Sequence, residues 1–140
     1  MYYADLTSRV ISVLETQTER PVGDGVAPKD PQDLVPEDYP YAVVYPGDTN
    51  WRLMDGPLTD SQGDKALKYH VVSVAYSREG SERLAERVRA AMVWENFSDF
   101  SGVRVLNVTM NEIQSMERTT EIRPAVFTLS DTFLFRVTES

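Results

Sequence analysis

A chain of 140 residues with 41% hydrophobic content is most simply one globular domain with a single core. It has no cysteine, which excludes a disulfide framework, a thiolate metal site and a cysteine nucleophile. Its net charge of −8 argues against duplex nucleic acid as a direct partner, because affinity for phosphates comes largely from Lys and Arg.

In chain order, Leu6, Val10, Val13 and Leu14 recur at helical spacing on one face. They predict an amphipathic helix, started by Asp5 or Thr7 and ended before Pro21. Residues 21–40 contain five of the eight prolines, so neither a helix nor a central strand fits there. An extended acidic loop is expected. Residues 17–39 carry six acids against two bases and residues 47–67 four against two, which together supply −6 of the −8.

Residues 41–45 (YAVVY) read as a strand bounded by prolines. Trp51, Arg52, Leu53 and Met54 then stand between the turn signals Pro46-Gly47 and Asp55-Gly56, with a candidate short strand at 50–54 in the middle of an acidic loop. Trp and Arg are the residue types of interface hot spots, and Met adapts to irregular contacts. The four residues are candidates for a docking surface, or for a short strand tucked onto the domain's own sheet.

Residues 68–77 (KYHVVSVAYS) are apolar on both alternating faces, as expected of a central strand. Its His70 reads as a structural or surface histidine. A general-base role would need a nucleophile and an orienting acid, and no pattern supplies either. A second helix is expected over 81–96, capped by Ser81, with Leu84, Val88, Ala91 and Met92 facing the core. Its arginines, together with Arg78, form a basic stretch, read either as a solvated face or as a docking face. In the second case Arg83 and Arg87 would meet acidic loops of a neighbouring copy.

Residues 103–110 and 126–137 are β-rich, joined by a long hairpin over 111–125. Phe127, Leu129, Phe133, Phe135 and Val137 share a face with Asp131, whose charge implies a bulge, a strand end or an exposed rim. The whole predicts an α+β fold, one domain over 1–140: a mostly antiparallel sheet of four or five strands with two helices on one face, in the order α-β-(β)-β-α-β-β.

No nucleotide-binding glycine motif, serine-hydrolase elbow or EF-hand occurs, no segment reads as a signal peptide, and no window approaches the about 20 apolar residues of a membrane span. No cofactor or metal is called for.

The element order resembles the tail terminator proteins of long-tailed bacteriophages. The likeness rests on the N-terminal helix, the Pro/Gly loop into PYAVVYP at 40–46, the strand YHVVSVAYS at 69–77 followed at once by SERLAERVRAAM, and a final aromatic strand. It implies a non-enzymatic virion protein of the neck region, assembled in the host cytoplasm. It also implies a ring, usually a hexamer, that caps the tail tube, ends its polymerisation and meets the head-side connector while DNA passes through the lumen. Another neck protein, for head completion or stopping, and a non-viral adaptor domain are the alternatives.

Overall fold

The computed structural model describes residues 3–29, 38–46, 65–98, 103–113, 117–119 and 126–139. Among these, helices α1 (Tyr3–Thr18) and α2 (Arg78–Ala91) accompany strands β1 (Val22–Asp24), β2 (Tyr41–Pro46), β3 (Lys65–Ala75), β4 (Val103–Ile113), β5 (Glu117–Thr119) and β6 (Val126–Glu139). The strands form one sheet in the order β1-β2-β3-β6-β4, with β5 paired to β6. Every pairing is antiparallel except β1 with β2. This is the α+β architecture expected from the sequence, with both helices on one face.

The residues that predicted the helices carry the core. Leu6, Val10, Val13 and Leu14 of α1 and Leu84, Val88, Ala91 and Met92 after them are buried in one cluster with Val44, Leu67, Tyr69, Val71, Phe133, Phe135 and Val137 of the sheet. Phe135 lies at its centre, with Tyr69 and Phe97 edge-on at ring distances of 5.1 and 4.9 Å. Edge-on pairs set positive ring edges against negative ring faces, which adds to the gain from burial. The Tyr69 hydroxyl, pushed to a higher pKa by burial, shares a 3.0 Å hydrogen bond with Thr7 Oγ1 and ties α1 to β3.

Three expectations change. The second helix starts three residues earlier than Ser81, because Ser77 is the cap. Its Oγ accepts from the Gly80 N–H at 3.0 Å. Ser81 lies buried in the first turn and donates to the Arg78 carbonyl. The helix also stops at Ala91, where the Asn96 side-chain amide takes the Ala91 carbonyl at 2.7 Å and a 3₁₀ turn, Trp94–Asn96, follows.

The second change falls in the Pro-rich segment, expected to be loop throughout. β1 forms there as a short parallel edge strand, because the open side of β2 offers Ala42 N–H to the Pro21 carbonyl and the Val44 carbonyl to Gly25 N–H. Gly23 is required in β1, since a Cβ there would stand 1.8 Å from the Val26 carbonyl oxygen. The third change concerns Asp131. It is neither at a strand end nor on a rim but mid-strand in β6 and 1% exposed. A bulge does lie nearby on β4, yet what houses the charge is Arg89 of α2.

β4 runs on to Ile113, into the segment 111–125 where a long hairpin is expected, and β5 follows on the same side of β6, while residues 114–116 and 120–125 lie outside those described. The register of β4 on β6 slips between Val105 and Asn107 and again between Met110 and Glu112. From Val103 to Glu117 the outer arm advances 14 residues, while β6 covers 11 from Glu139 to Thr128. Each one-residue slip exchanges the faces of all that follows. Val105, Val108 and Met110 therefore all pair with helix-side residues of β6, although their spacing breaks alternation.

Candidate functional site

Trp51, Arg52, Leu53 and Met54 lie outside the described residues, as does the short strand expected at 50–54. Arg83 and Arg87 are both exposed on α2. The basic stretch that contains them is largely neutralised within the fold. Arg78 Nη1 donates to both carboxylate oxygens of Glu82 at 2.8 and 2.9 Å, and Arg83 pairs with Glu79. The earlier helix start brings this second pair onto one turn. Arg87 Nη1 stands 3.5 Å from the Thr18 carbonyl, where a cation meets the negative end of α1.

Arg89 turns inward. Its Nε and Nη2 donate to the two carboxylate oxygens of Asp131 at 2.9 and 3.0 Å, a fork that joins α2 to the middle of the sheet. The hydrogen bond to Asp131 raises the pKa of Arg89 against the opposing effect of burial. Sequence reading missed the pair because the partners stand 42 residues apart and only the fold places them together.

On the face away from the helices, Tyr41, Val43, Val74 and Val126 form a second, smaller cluster, covered by Ala27, Tyr39 and Tyr76. Tyr39 and Tyr76 lie with ring centroids 4.1 Å apart and Tyr39 and Tyr41 5.2 Å. Burial pushes the Tyr41 hydroxyl up to about 12, with the neighbouring Tyr39, Tyr45 and Tyr76 adding to the shift. Next to this cluster His70 Nδ1 meets Thr132 Oγ1 at 2.8 Å. Thr132 is buried and Asp131 faces the opposite side of the sheet, so this pair joins two strands and presents no reachable nucleophile. Among the described residues no three His, Cys, Asp or Glu side chains gather as metal ligands, and no helix is long and apolar enough to cross a membrane.

What the described surface does offer is apolar side chains at its margins. Val26, Tyr45, Val93, Trp94 and Met110 are the large exposed hydrophobics. Trp94 is 43% exposed, yet its indole N–H donates to the Val105 carbonyl at 2.7 Å. An indole cannot enter between paired strands, so it meets β4 from its free side and its ring is fixed in place. Beside it, a shallow groove of about 290 Å³ runs between α1 and the 3₁₀ turn, lined by Ser12, Thr16, Gln17, Glu95 and Asn96 and bridged by Arg9 to the Asn96 carbonyl at 3.1 Å. No sequence signal singled out Trp94. Its exposure follows from the early end of α2, which places residues 93–96 outside the helix.

No protein-family model matches the sequence, and no curated protein matches it. Among solved structures, a chain of the "Virion of native gene transfer agent (GTA) particle" superposes with a TM-score of 0.67 and 15% identity, over 95% of this chain and 94% of that one. At that identity the likeness establishes a common fold across nearly the whole length of both chains.

Proposed function

We propose that this protein is a structural component of a phage-like virion and acts as a tail terminator: a ring of copies, six in the simplest case, that seals the end of the tail tube and offers its other side to the head-side connector. The observation that carries this reading is the fold shared over 95% of the chain with a chain of a gene transfer agent virion. The element order that resembles tail terminators points the same way, and the site contains recognition surfaces with no assembled reaction centre among the described residues.

The mechanism is recognition without bond making. A tube end presents surface that the next tube ring would cover, and the terminator covers it instead. Side chains on turns and loops make such contacts while the sheet and helices hold them rigid. Trp51, Arg52, Leu53 and Met54, and on α2 Arg83 and Arg87, are contact residues in this scheme. DNA passes through the lumen without base recognition, and six copies at −8 each carry −48, a field that does not hold phosphates.

The test is to mix the purified protein with polymerising tail tubes of the same particle and image the products by negative stain. Tubes of limited length bearing an extra ring at one end are expected. Attachment to the head-side connector with no effect on tube growth would assign the protein to another neck position. A protein that forms no rings and binds no tubes would overturn the reading.

A further inference from the structure

We infer that Tyr39 and Tyr76 form an oxidative coupling site, where a one-electron oxidant (hydrogen peroxide activated by a haem peroxidase) joins the two rings into a dityrosine that staples the entry of β2 to the exit of β3. This goes beyond the assembly reading above and does not depend on it.

The sheet brings the two rings together. Tyr39 stands two residues before β2 and Tyr76 directly after β3. β2 and β3 are antiparallel, with Tyr41 opposite Val74, so the residues just outside this end of the ladder meet although they are distant in sequence. The ring centroids lie 4.1 Å apart and the planes are tilted by 30°. At that separation carbon atoms of one ring touch carbon atoms of the other. A side-chain hydrogen bond also joins the two residues, and the hydroxyl is the one polar group each side chain has. The two oxygens therefore stand together, and so do the ortho carbons beside them. Burial raises the pKa of the Tyr39 hydroxyl, with the charge and hydrogen bond of Tyr76 adding to the shift, so this phenol keeps its proton at neutral pH and gives it up together with an electron.

The other described tyrosines are placed less well. Tyr41 lies 5.2 Å from Tyr39 at a tilt of 54° and is buried. Tyr69 is 1% exposed and its hydroxyl is shared with Thr7. Tyr45 is exposed and would react between copies. Tyr39 and Tyr76 are half-buried, so each keeps an edge in solvent, and neither belongs to the paired part of a strand, so the rings can shift as the bond forms.

In the coupling, each phenol loses one electron and one proton to give a phenoxyl radical. The two radicals form one carbon–carbon bond between ortho carbons, and the hydrogen on each of those carbons moves to the phenol oxygen. Two electrons and two protons leave in all, and one hydrogen peroxide takes them up to become two waters. The chain has no cysteine, so a bond of this kind is a covalent closure open to it where a disulfide is not.

The test treats the dilute full-length chain with a haem peroxidase and small additions of hydrogen peroxide. A monomer lighter by two hydrogen atoms and showing dityrosine fluorescence is expected, with the peptides that contain Tyr39 and Tyr76 joined in mass-spectrometric mapping. Tyr39→Phe and Tyr76→Phe, which keep the rings, should each abolish that product, while Tyr45→Phe should leave it. In urea the same treatment should scatter the links over other tyrosines. The stapled monomer should have an unfolding equilibrium constant lowered roughly 100-fold, because the link removes loop-closure entropy from the unfolded chain as a disulfide does. Products dominated by links between copies, or by oxidation of the exposed Trp94 and Met110, would overturn the proposal. So would a Tyr39–Tyr76 link formed equally well in urea, or a stapled chain that unfolds at the same urea concentration as the parent.

Discussion

The two faces of the sheet are filled in different ways. On the helix side, α1 and α2 lay aliphatic side chains over Tyr69, Phe133, Phe135 and Val137, and the cluster runs without interruption from Leu6 to Val137. On the other side four buried residues meet Ala27 and Tyr39, which come from the segments around β1 and β2, and much of the contact is made by tyrosines. The first face is closed by regular structure whose side chains were selected to fit. The second is closed by chain whose course is set by prolines and hydroxyl-bearing rings. The helix side therefore holds the fold, and the opposite side can be altered with smaller consequence for it.

Changes at the centre of the helix side should be the most damaging. Phe135→Ala removes the ring at the meeting of Tyr69 and Phe97 and should lower stability by about 3–5 kcal/mol in urea unfolding. An equal loss from Val43→Ala on the opposite face would erase the distinction between the faces. Asp131→Ala leaves Arg89 without its bidentate acceptor and should cost about 3 kcal/mol, while the double variant Asp131→Leu, Arg89→Met should recover most of that loss, because an apolar pair needs no desolvated charge.

The tyrosine side should be recognised by its pH dependence. The folded protein holds the Tyr41 proton more tightly than the unfolded chain does, so the stabilisation is fully present below pH 10 and is lost as pH rises from 10.0 towards about 12. Thermal unfolding across that range should show Tyr41→Phe losing less stability than the parent, by up to about 2 kcal/mol. Equal slopes for the two proteins would show that this face carries no linked proton.

Two smaller changes address the seam between α1 and the sheet. Glu19→Gly should raise stability by about 1 kcal/mol in urea unfolding, since glycine adopts positive φ without strain. Arg87→Ala should cost only about 0.5 kcal/mol, as expected of an exposed cation at a helix end.

Where neighbours in sequence decide a structure, the sequence was sufficient. Leu6, Val10, Val13 and Leu14 announced α1, and two apolar faces announced a central β3, which does lie between β2 and β6. The failures are of another kind. Asp131 contradicted its strand pattern because its partner comes from a helix 42 residues earlier. β4 could not be assigned faces because its inserted residues break the alternation that such assignments rest on. Ser81 reads as the cap from sequence, whereas the Gly80 N–H is held by Ser77. Of the candidate contact residues, Arg83 and Arg87 were legible as exposed helix positions. Trp94 was not, because its exposure depends on where α2 stops and on a carbonyl eleven residues further along.

The uneven ladder between β4–β5 and β6 bears on how this protein can change over generations. Its paired runs are short, three residues at Val103–Val105 and four at Asn107–Met110, each separated from the next by an unmatched residue. A strand in strict alternation is intolerant of a single inserted or deleted codon, since every side chain beyond it is reversed. A strand that already contains slips can absorb such an event where a neighbouring slip is lost or gained with it, so that the later runs keep their faces. The outer margin of the sheet is thus the part of this fold where length can drift while the core stays as it is, and contacts with a changing partner can be re-cut there one residue at a time.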